Sequence, residues 1–296
     1  MSDLLTFELE RIAREIDSRF DVLLTPPDDS RKRLYEAMRH AAIGGGKRLR
    51  PLLVCGAAGL FAVDGECALR TGLAVEAIHV YSLIHDDLPS MDDDDMRRGR
   101  PTVHKAFDEA TAILAGDAFQ ALAFEIIAAE ATHPDPFVRA ELVSALAVAA
   151  GPGGMVGGQA MDMAAAVTMH DMANVTRLQQ LKTGALIAFS IEAGAILGRL
   201  PPEGRTRLRG YAHDLGLAFQ IADDLLDAEG DPAAMGKAAG KDDAAGKATF
   251  VGLLGIERAR AQARSLSEQA IGHLANFGHE ADLLRDIAAY AVDRDR

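Results

Sequence analysis

The chain has 296 residues, a formal net charge of −13 and 49% hydrophobic residues. This acidic balance argues against nucleic acid as the main partner, because phosphate backbones select basic surfaces, and the length allows one or two domains with a sizeable core. The two cysteines, Cys55 and Cys67, have neither metal-ligand spacing nor a disulfide framework, which predicts a reducing, cytoplasmic location.

The dominant sequence period is helical. Leu5, Leu9, Ile12, Ile16 and Phe20 repeat at intervals of three and four, which predicts an amphipathic first helix ending at TPPDDS. Its acidic residues and the lack of an apolar core argue against a signal peptide. Long Ala- and Leu-rich segments then alternate with short breakers, which are GGG at 44–46, DG at 64–65, HPDP at 133–136, GPGG at 151–154, PPEG at 201–204 and a Gly/Lys/Asp stretch at 230–247.

Segments 72–85 and 184–198 are apolar on most faces, which predicts central helices. No run of alternating β-branched residues is long enough for a sheet, and no linker or fixed-period repeat divides the chain. Apolar stretches such as ALIAFSIEAGAILG are interrupted by Glu192 and are too short for a bilayer, so we expect no stable membrane insertion. The sequence predicts an all-α protein in which residues 1–296 form one domain of roughly ten helices.

The stretch HDDLPSMDDDDMRRGR, residues 85–100, holds six aspartates and three arginines. Like charges this close destabilise a fold unless a cation lies among them. Asp86, Asp87 and Asp92 come at the end of an apolar helix expected over 72–88. Carboxylates in this position are typical ligands of a hard cation such as Mg²⁺.

A second acidic cluster, FQIADDLLD, occupies residues 219–227. Asp223 and Asp227 are four residues apart and share a helix face, with Asp224 alongside and no Lys or Arg four residues away. Alone, such a pattern is more often a solvated charge run. Two clusters that end two buried helices weaken this explanation and favour a metal site, whereas Asp93–Asp95 fit a solvated extension and a direct role equally well.

Magnesium usually binds through a few carboxylates plus substrate phosphates, so a phosphorylated substrate and basic side chains are expected as well. GGGKRLRP at 44–51 lacks the Walker spacing and on its own is more often a helix start with a basic surface. A lone histidine such as His79 is more often a hydrogen-bonded core residue, and there is no G-x-S-x-G nucleophile motif. The basic candidates are Lys47, Arg48, Arg50, Arg97, Arg98, Lys182 and Lys237, with Lys241 and Lys247 in the same loop as Lys237.

Taken together, GGGKRLRP, HDDLPSMDDDDMRRGRPTVH, GGQAMD, LKTGALI, FQIADDLLD and GKATF resemble the motifs of trans-polyprenyl diphosphate synthases, in the family's order over residues 44–250. In DDLPSMD, four residues separate the aspartate pair from the third aspartate, which is typical of the short-chain bacterial group, the farnesyl diphosphate synthases (geranyltranstransferases). The resemblance implies a helical bundle around a deep central cavity, usually in a homodimer. Val251, after GKATF, departs from the proline that similar enzymes commonly have.

The resemblance also implies a role for each matching residue. The carboxylates that would hold three Mg²⁺ ions on the allylic diphosphate are chiefly Asp86, Asp92 and Asp223, with Asp87 and Asp227 as nearby ligands or supports. The cations that would contact that diphosphate are Arg97, Lys182 and Lys237. The positions that match the isopentenyl diphosphate site are Lys47, Arg50, His79 and Arg98. The positions beside the reacting carbons are Thr183 and Gln220, with Lys182 next to them.

The implied reaction joins isopentenyl diphosphate to dimethylallyl or geranyl diphosphate by ionisation, condensation and proton elimination. Tyr81 and Ser82 come five and four residues before Asp86, about 6–7.5 Å further along a helix axis. An aromatic residue there goes with a C15 product, farnesyl diphosphate, because it would close the floor of the cavity. Tyr81 as a plain core residue, and a C10 (geranyl) or C20 (geranylgeranyl) product, are the alternatives.

Three other functions are less consistent with these motifs. A class I terpene cyclase would use an aspartate-rich motif and Mg²⁺, but it normally lacks the second DDxxD and the set Lys47, Arg50 and His79. A non-catalytic partner subunit tends to lose motif residues, and this chain keeps them all. A helical scaffold explains none of the paired motifs, so the sequence predicts an enzyme.

Overall fold

The computed structural model describes residues 1–168, 171–229 and 249–293. The all-α prediction is confirmed, with fourteen α-helical segments in these ranges. They are α1 (Asp3–Leu23), α2 (Lys32–Ala42), α3 (Leu49–Gly59), α4 (Gly65–Asp86), α5 (Val103–Ala106), α6 (Glu109–Ala128), α7 (Pro136–Ala150), α8 (Met155–Thr168), α9 (Met172–Gln179), α10 (Ala185–Leu197), α11 (Thr206–Glu229), α12 (Phe250–Leu254), α13 (Ile256–His273) and α14 (Asp282–Asp293). Lys237, Lys241 and Lys247 lie outside the described residues.

Four short elements have no predictive pattern in the sequence. A π turn, Gln180–Gly184, joins α9 to α10, and 3-10 turns cover Pro202–Arg205 and His279–Ala281. A two-stranded antiparallel hairpin, β1 (Met96–Arg97) and β2 (Arg100–Pro101), follows the first acidic cluster. Two-residue strands are too short to produce a recognisable alternating pattern.

Helix α4 is the central element and carries the first acidic cluster at its end. The carboxylate of Asp64 caps its first turn by accepting from the backbone N–H groups of Glu66 and Cys67. The helix ends at Asp86, ahead of Pro89 and earlier than the expected 72–88. Most of its faces are buried, and it packs on α3 and α6, while α10 packs on α3 and α7. The prediction that both apolar segments form central helices is therefore confirmed.

The loop after α4 folds back over the end of that helix. The backbone N–H of Asp92 donates to the carbonyl of Asp86 at 2.9 Å, and the N–H of Asp94 donates to the carbonyl of Asp87 at 3.3 Å. These bonds use carbonyls at the end of α4 that have no partner within the helix. The fold-back holds the aspartates of the first cluster in one compact patch.

The length argument against membrane spanning was wrong. Four helical runs among the described residues are long and apolar enough to cross a bilayer by length and composition, one of them because the π turn joins α9 and α10 into a run of 26 residues. Between 33% and 72% of the apolar window in each run is buried inside the protein itself. The runs are Gly65–Asp86, Glu109–Ala128, Pro136–Ala164 and Met172–Leu197.

Arg48 belongs to the core of the fold. Its side chain is 1% exposed, and its guanidinium lies 2.7 Å from the Glu76 carboxylate and 2.6 Å from that of Asp17. It also donates to the carbonyl of Ala42. Both of its Nη atoms are occupied by these partners, so Arg48 ties the start of α3 to α1 and α4.

Arg48→Ala is expected to lower the free energy of unfolding by about 3–5 kcal/mol, because it leaves the buried Glu76 carboxylate without its partner. Urea denaturation followed by circular dichroism measures the change. The control is Arg33→Ala, which breaks an exposed ion pair with Asp108 and should change stability far less. Equal unfolding midpoints for the two variants would show that the Arg48 cluster contributes no more than a surface pair.

Candidate active site

A cavity of about 380 Å³ lies between α3, α4, α8 and the π turn. Its apolar wall includes Met155, Val156 and Met163 of α8 and Leu83 of α4. The predicted site residues that line it are Arg50, His79, Tyr81, Ser82, Asp86, Lys182 and Thr183. The structure thus brings residues from three separate sequence motifs to one apolar cavity.

Asp86 contributes the first carboxylate to this cavity. Burial raises the pKa of Asp86 to about 6, and the neighbouring carboxylates of Asp92 and Asp87 act in the same direction. The positive charges of Lys182 and Arg97 oppose them. The charged form of Asp86 is therefore unfavourable in free energy among these other acids. A bound cation would stabilise it.

Asp87 is in contact with Arg97, which the resemblance assigned to the diphosphate. The Nε of Arg97 donates to Oδ1 of Asp87 at 2.7 Å, and its Nη2 lies 2.6 Å from the same oxygen. Asp94 lies further from that Nη2, at 3.8 Å. The Asp87–Arg97 pair fixes the hairpin against the end of α4.

The π turn presents Lys182 and Thr183 to the cavity. The Nζ of Lys182 lies 2.5 Å from Oδ2 of Asp162 on α8. Thr183 Oγ1 donates to Oε1 of Gln220 at 3.0 Å. A π turn shifts the helix register locally, and such turns are frequent at functional sites. Here the shift turns two consecutive polar side chains toward one cavity.

Gln220 connects this turn to the second acidic cluster on α11. Its Nε2 donates to Oδ1 of Asp224 at 3.2 Å, and Oδ2 of Asp224 accepts the backbone N–H of Phe250 at 2.8 Å. Asp224 is 5% exposed, so it is a buried brace between α11 and the start of α12. Its neighbour Asp223 and, one turn later, Asp227 are half-buried.

Close contact between α8 and the π turn depends on Gly158. A Cβ added there would lie 2.1 Å from the backbone nitrogen of Lys182, which no real contact allows. Any side chain at this position must push the π turn away from α8. The glycine therefore sets the position of Lys182 and Thr183.

Gly158→Ala is expected to lower the free energy of unfolding by about 1–3 kcal/mol through overpacking and to lower kcat/KM by displacing the π turn. Urea denaturation and steady-state kinetics measure the two effects. Gly153→Ala is the matched control, since a Cβ on Gly153 has no neighbour within 4 Å. If both variants behave alike, the close crossing does not position the turn.

A basic group lies beside the acids. Burial lowers the pKa of Arg50, while the carboxylates of Glu76 and Asp223 oppose this, so Asp223 on α11 acts electrostatically on α3. The Nε of Arg50 is buried without a hydrogen-bond partner among the described residues. Burial, followed by the positive charges of Arg50 and Arg98, lowers the pKa of His79 well below its usual value. Of the predicted isopentenyl-site residues, Arg50 and His79 line the same cavity, and the charge of Arg98 acts on both of them.

The glycine-rich loop makes room for Arg98. A Cβ on Gly46 would lie 2.5 Å from Nη1 of Arg98, so the guanidinium occupies the space that a side chain would need. Gly46 has a φ of +87°, which favours glycine as well. Lys47, the fourth predicted residue, is exposed and its Nζ lies 5.5 Å from the ring centre of Tyr290, away from the lining of the cavity.

The carboxylates fit a hard cation that completes its coordination with substrate oxygens. Asp86, Asp92 and Asp223 offer oxygen ligands of the kind that Mg²⁺ prefers, and the raised pKa of Asp86 marks uncompensated negative charge. Within 1–168, 171–229 and 249–293, a closed group of three ligand atoms occurs elsewhere, at Asp93, Asp95 and His104.

Sequence reasoning gave no role to Gln159 and Asp162, which the structure places in the site. Asp162 pairs with Lys182, and the side-chain amide of Gln159, at the cavity wall, has both polar atoms buried without a partner among the described residues. The signal was the motif GGQAMD, where two glycines inside a helical segment indicate close backbone approach.

Fold and site define a helical protein with an apolar cavity that is lined by carboxylate and basic side chains. The profile of the polyprenyl synthetase family matches residues 31–289, so the chain belongs to that family. Farnesyl diphosphate synthase of Escherichia coli K12 is 41% identical over 294 residues, which cover 98% of each chain. A chloroplastic geranylgeranyl pyrophosphate synthase of Arabidopsis thaliana is 42% identical over 268 residues, 88% of this chain and 74% of its own. The crystal structure of an FPP/GFPP synthase from Zymomonas mobilis has a TM-score of 0.91 and 59% identity, covering 98% of this chain and 100% of that one.

Proposed function

We propose that the protein is a Mg²⁺-dependent prenyltransferase of the (2E,6E)-farnesyl diphosphate synthase type. It condenses isopentenyl diphosphate with dimethylallyl or geranyl diphosphate and releases diphosphate. The observation that carries the proposal is the single apolar cavity with Asp86 and Lys182 in its wall, Arg50 and His79 beside them, and Tyr81 along its length. The similarity to farnesyl diphosphate synthases supports the same substrates.

The carboxylates and cations of the site bind the allylic diphosphate. Three bound Mg²⁺ ions would supply neutralisation of the departing diphosphate. The proposed ligands are Asp86, Asp92 and Asp223, with Asp87 and Asp227 as supports. Lys182 contacts the same diphosphate, and Arg97 and Lys237 are assigned to it by family likeness.

The second substrate, isopentenyl diphosphate, binds to the basic group of Arg50, His79 and Arg98, and Lys47 is assigned to it by family likeness alone. Arg50 supports this assignment because its buried guanidinium has an Nε without a partner among the described residues. A buried cation of this kind gains strongly from a charge-assisted bond to a phosphate oxygen. His79 is neutral at pH 7, since its pKa is well below the usual value, and so it can donate one hydrogen bond without adding charge.

The reaction breaks the allylic C–O bond, and both electrons leave with the diphosphate. The double bond of isopentenyl diphosphate then forms the new C–C bond, and loss of a proton, accepted by the released diphosphate, restores an alkene. Thr183 donates its hydroxyl hydrogen to Gln220, which leaves the oxygen lone pairs at the cavity wall free to stabilise positive charge. The apolar side chains around the cavity exclude water from the cation.

The assembly and location are proposed from the family likeness. A homodimer is supported by apolar side chains exposed on α6, where Ile113 and Leu114 are 46% and 57% exposed. A cytoplasmic enzyme without membrane insertion is supported by the packing of α4 around the cavity, because inserting that helix would dismantle the site. Sedimentation equilibrium tests the dimer, and fractionation of cells tests the location.

A product assay on the purified protein tests the function. Labelled isopentenyl diphosphate is supplied with dimethylallyl or geranyl diphosphate, with and without Mg²⁺, and product length is measured by chromatography. Mg²⁺-dependent C15 product is expected. A product of another length would keep the mechanism and reject the proposed cavity floor, and the named relatives include a geranylgeranyl and an FPP/GFPP synthase. No elongation under any condition would overturn the proposal in favour of a partner subunit.

A further inference from the structure

We infer that the chain carries a second cation site, built by Asp93, Asp95 and His104, which takes Zn²⁺ or a similar transition-metal ion. One ligand atom from each of the three side chains lies within 4.8 Å of the other two. The proposed Mg²⁺ ligands Asp86, Asp92 and Asp223 belong to none of these three positions. The three residues therefore form a ligand set of their own, next in the chain to the proposed Mg²⁺ ligand Asp92.

His104 has the tautomer and the free nitrogen lone pair that a metal ligand needs. Thr102 donates its single hydroxyl hydrogen to the carbonyl of Asp94 at 2.8 Å, and the same Oγ1 lies 3.2 Å from Nδ1 of His104. With that hydrogen on the Asp94 carbonyl, which is the shorter of the two contacts, Nδ1 carries the imidazole hydrogen and donates to Oγ1. Nε2 then presents a lone pair, as in metal-binding histidines whose other nitrogen donates to an oxygen.

This lone pair is buried without a partner. His104 is 8% exposed, and its Nε2 has no hydrogen-bond partner among the described residues. The two carboxylates of the group lie close to this imidazole, and their negative charges repel each other. A cation bound between them relieves both the missing contact and the repulsion.

The carboxylates are only partly neutralised by the protein. Nζ of Lys105 lies 2.9 Å from Oδ1 of Asp95, and this contact lowers the pKa of Asp95. One lysine against two carboxylates leaves a net negative charge at the cluster. Asp93 is held in the left-handed region at a φ of 48°, an uncommon conformation that brings its side chain into the group.

The donor set selects the class of metal. One imidazole nitrogen and two carboxylate oxygens are the ligand types of Zn²⁺ and its neighbours, with the open positions filled by water. Mg²⁺ prefers oxygen ligands throughout, so this group discriminates against it. A bound ion would link the loop that carries Asp93 to α5, and it would stabilise the fold by mass action.

Titration of the chelator-treated, full-length enzyme with Co²⁺ in excess Mg²⁺ tests the site. The Mg²⁺ occupies the all-oxygen sites, and the visible absorption of Co²⁺ reports an imidazole ligand. One equivalent of Co²⁺ is expected to bind and then to be displaced by Zn²⁺. His104→Asn keeps an amide near the Nδ1 position and removes Nε2, so it should abolish this binding. Asp93→Asn, which tolerates the left-handed backbone, should weaken it by about tenfold or more.

The control is His133→Asn, since His133 is equally buried at 8% exposure and uses its Nδ1 in a backbone hydrogen bond. It should leave Co²⁺ binding unchanged. Thermal unfolding gives a second readout: Zn²⁺ should raise the Tm of the wild-type protein and of His133→Asn, and should leave the Tm of Asp93→Asn nearly unchanged. Three outcomes would overturn the proposal. They are the absence of Co²⁺ binding in excess Mg²⁺, Co²⁺ binding that survives in both site variants, and Co²⁺ binding that is lost in Asp86→Ala.

Discussion

Asp86→Ala and Asp223→Ala, made separately, are each expected to lower kcat/KM by at least about 10³-fold. The diphosphate leaves with a large negative charge that the bound cations stabilise. Loss of either cation ligand should remove about 4 kcal/mol or more of this transition-state stabilisation. The two residues are 137 positions apart in the sequence (223 − 86) and are proposed to act on the same substrate group. Steady-state kinetics over a range of Mg²⁺ concentrations measures the loss and shows whether excess Mg²⁺ restores any of it.

The fold should survive the change at Asp86. In the metal-free protein, removal of this carboxylate relieves its burial and its repulsion by Asp92, so the Tm should stay the same or rise. Asp28→Ala is the control, because Asp28 is exposed in the loop between α1 and α2. Near-normal rates in either site variant, with a normal Mg²⁺ dependence, would refute the assignment of that residue as a metal ligand.

The sequence predicts the helical fold because its information is local. Residues at intervals of three and four place Leu5, Ile12, Ile16 and Phe20 on one buried stripe of α1, and the continuous apolar segments become the buried helices α4 and α10. The resemblance supplied the order of the motifs. What gathers those motifs into one site is tertiary packing, and spacing along the chain does not contain it.

Arg48 and the π turn are two features that local sequence patterns do not predict. The partners of Arg48 lie 28 and 31 residues away along the chain, so nothing in GGGKRLRP separates this buried arginine from the site residue Arg50. The π turn depends on a contact between Gly158 and Lys182, which belong to different motifs. In the same way, the pairing of Asp87 with Arg97 appears only when the hairpin folds back on α4.

Charges of both signs are brought together in this site before any substrate binds. Asp86 has a raised pKa and His79 a lowered one, and both shifts have burial as their largest cause. The fold places ionisable groups where their charged forms are unfavourable. A bound divalent cation would stabilise the charged carboxylates, and a bound diphosphate would stabilise the charged basic groups. Binding should therefore be coupled, so that Mg²⁺ tightens diphosphate binding and diphosphate tightens Mg²⁺ binding by the same factor.

Tyr81→Ala is expected to shift the main product from C15 to C20 or longer. The tyrosine is 6% exposed and lines the cavity five residues before Asp86, so removing its ring extends the space available to the growing chain. The ring already borders a cavity, so the free energy of unfolding should fall by less than the about 3–5 kcal/mol usual for an aromatic residue replaced by alanine in a packed core. Chromatography of the products from labelled isopentenyl diphosphate and geranyl diphosphate measures the chain length.

Two further variants separate volume from polarity as the cause. Tyr81→Phe keeps the ring and removes a buried hydroxyl that has no partner among the described residues, so C15 should remain the main product and stability should not fall. Ser82→Phe adds a ring at the same cavity wall and should shorten the product toward C10. If Tyr81→Ala still stops at C15, the floor is formed by other side chains of the cavity, with Met155 and Met163 on α8 as the next positions to replace. If instead Tyr81→Phe alone lengthens the product, the hydroxyl and not the ring sets the limit, and the steric argument fails.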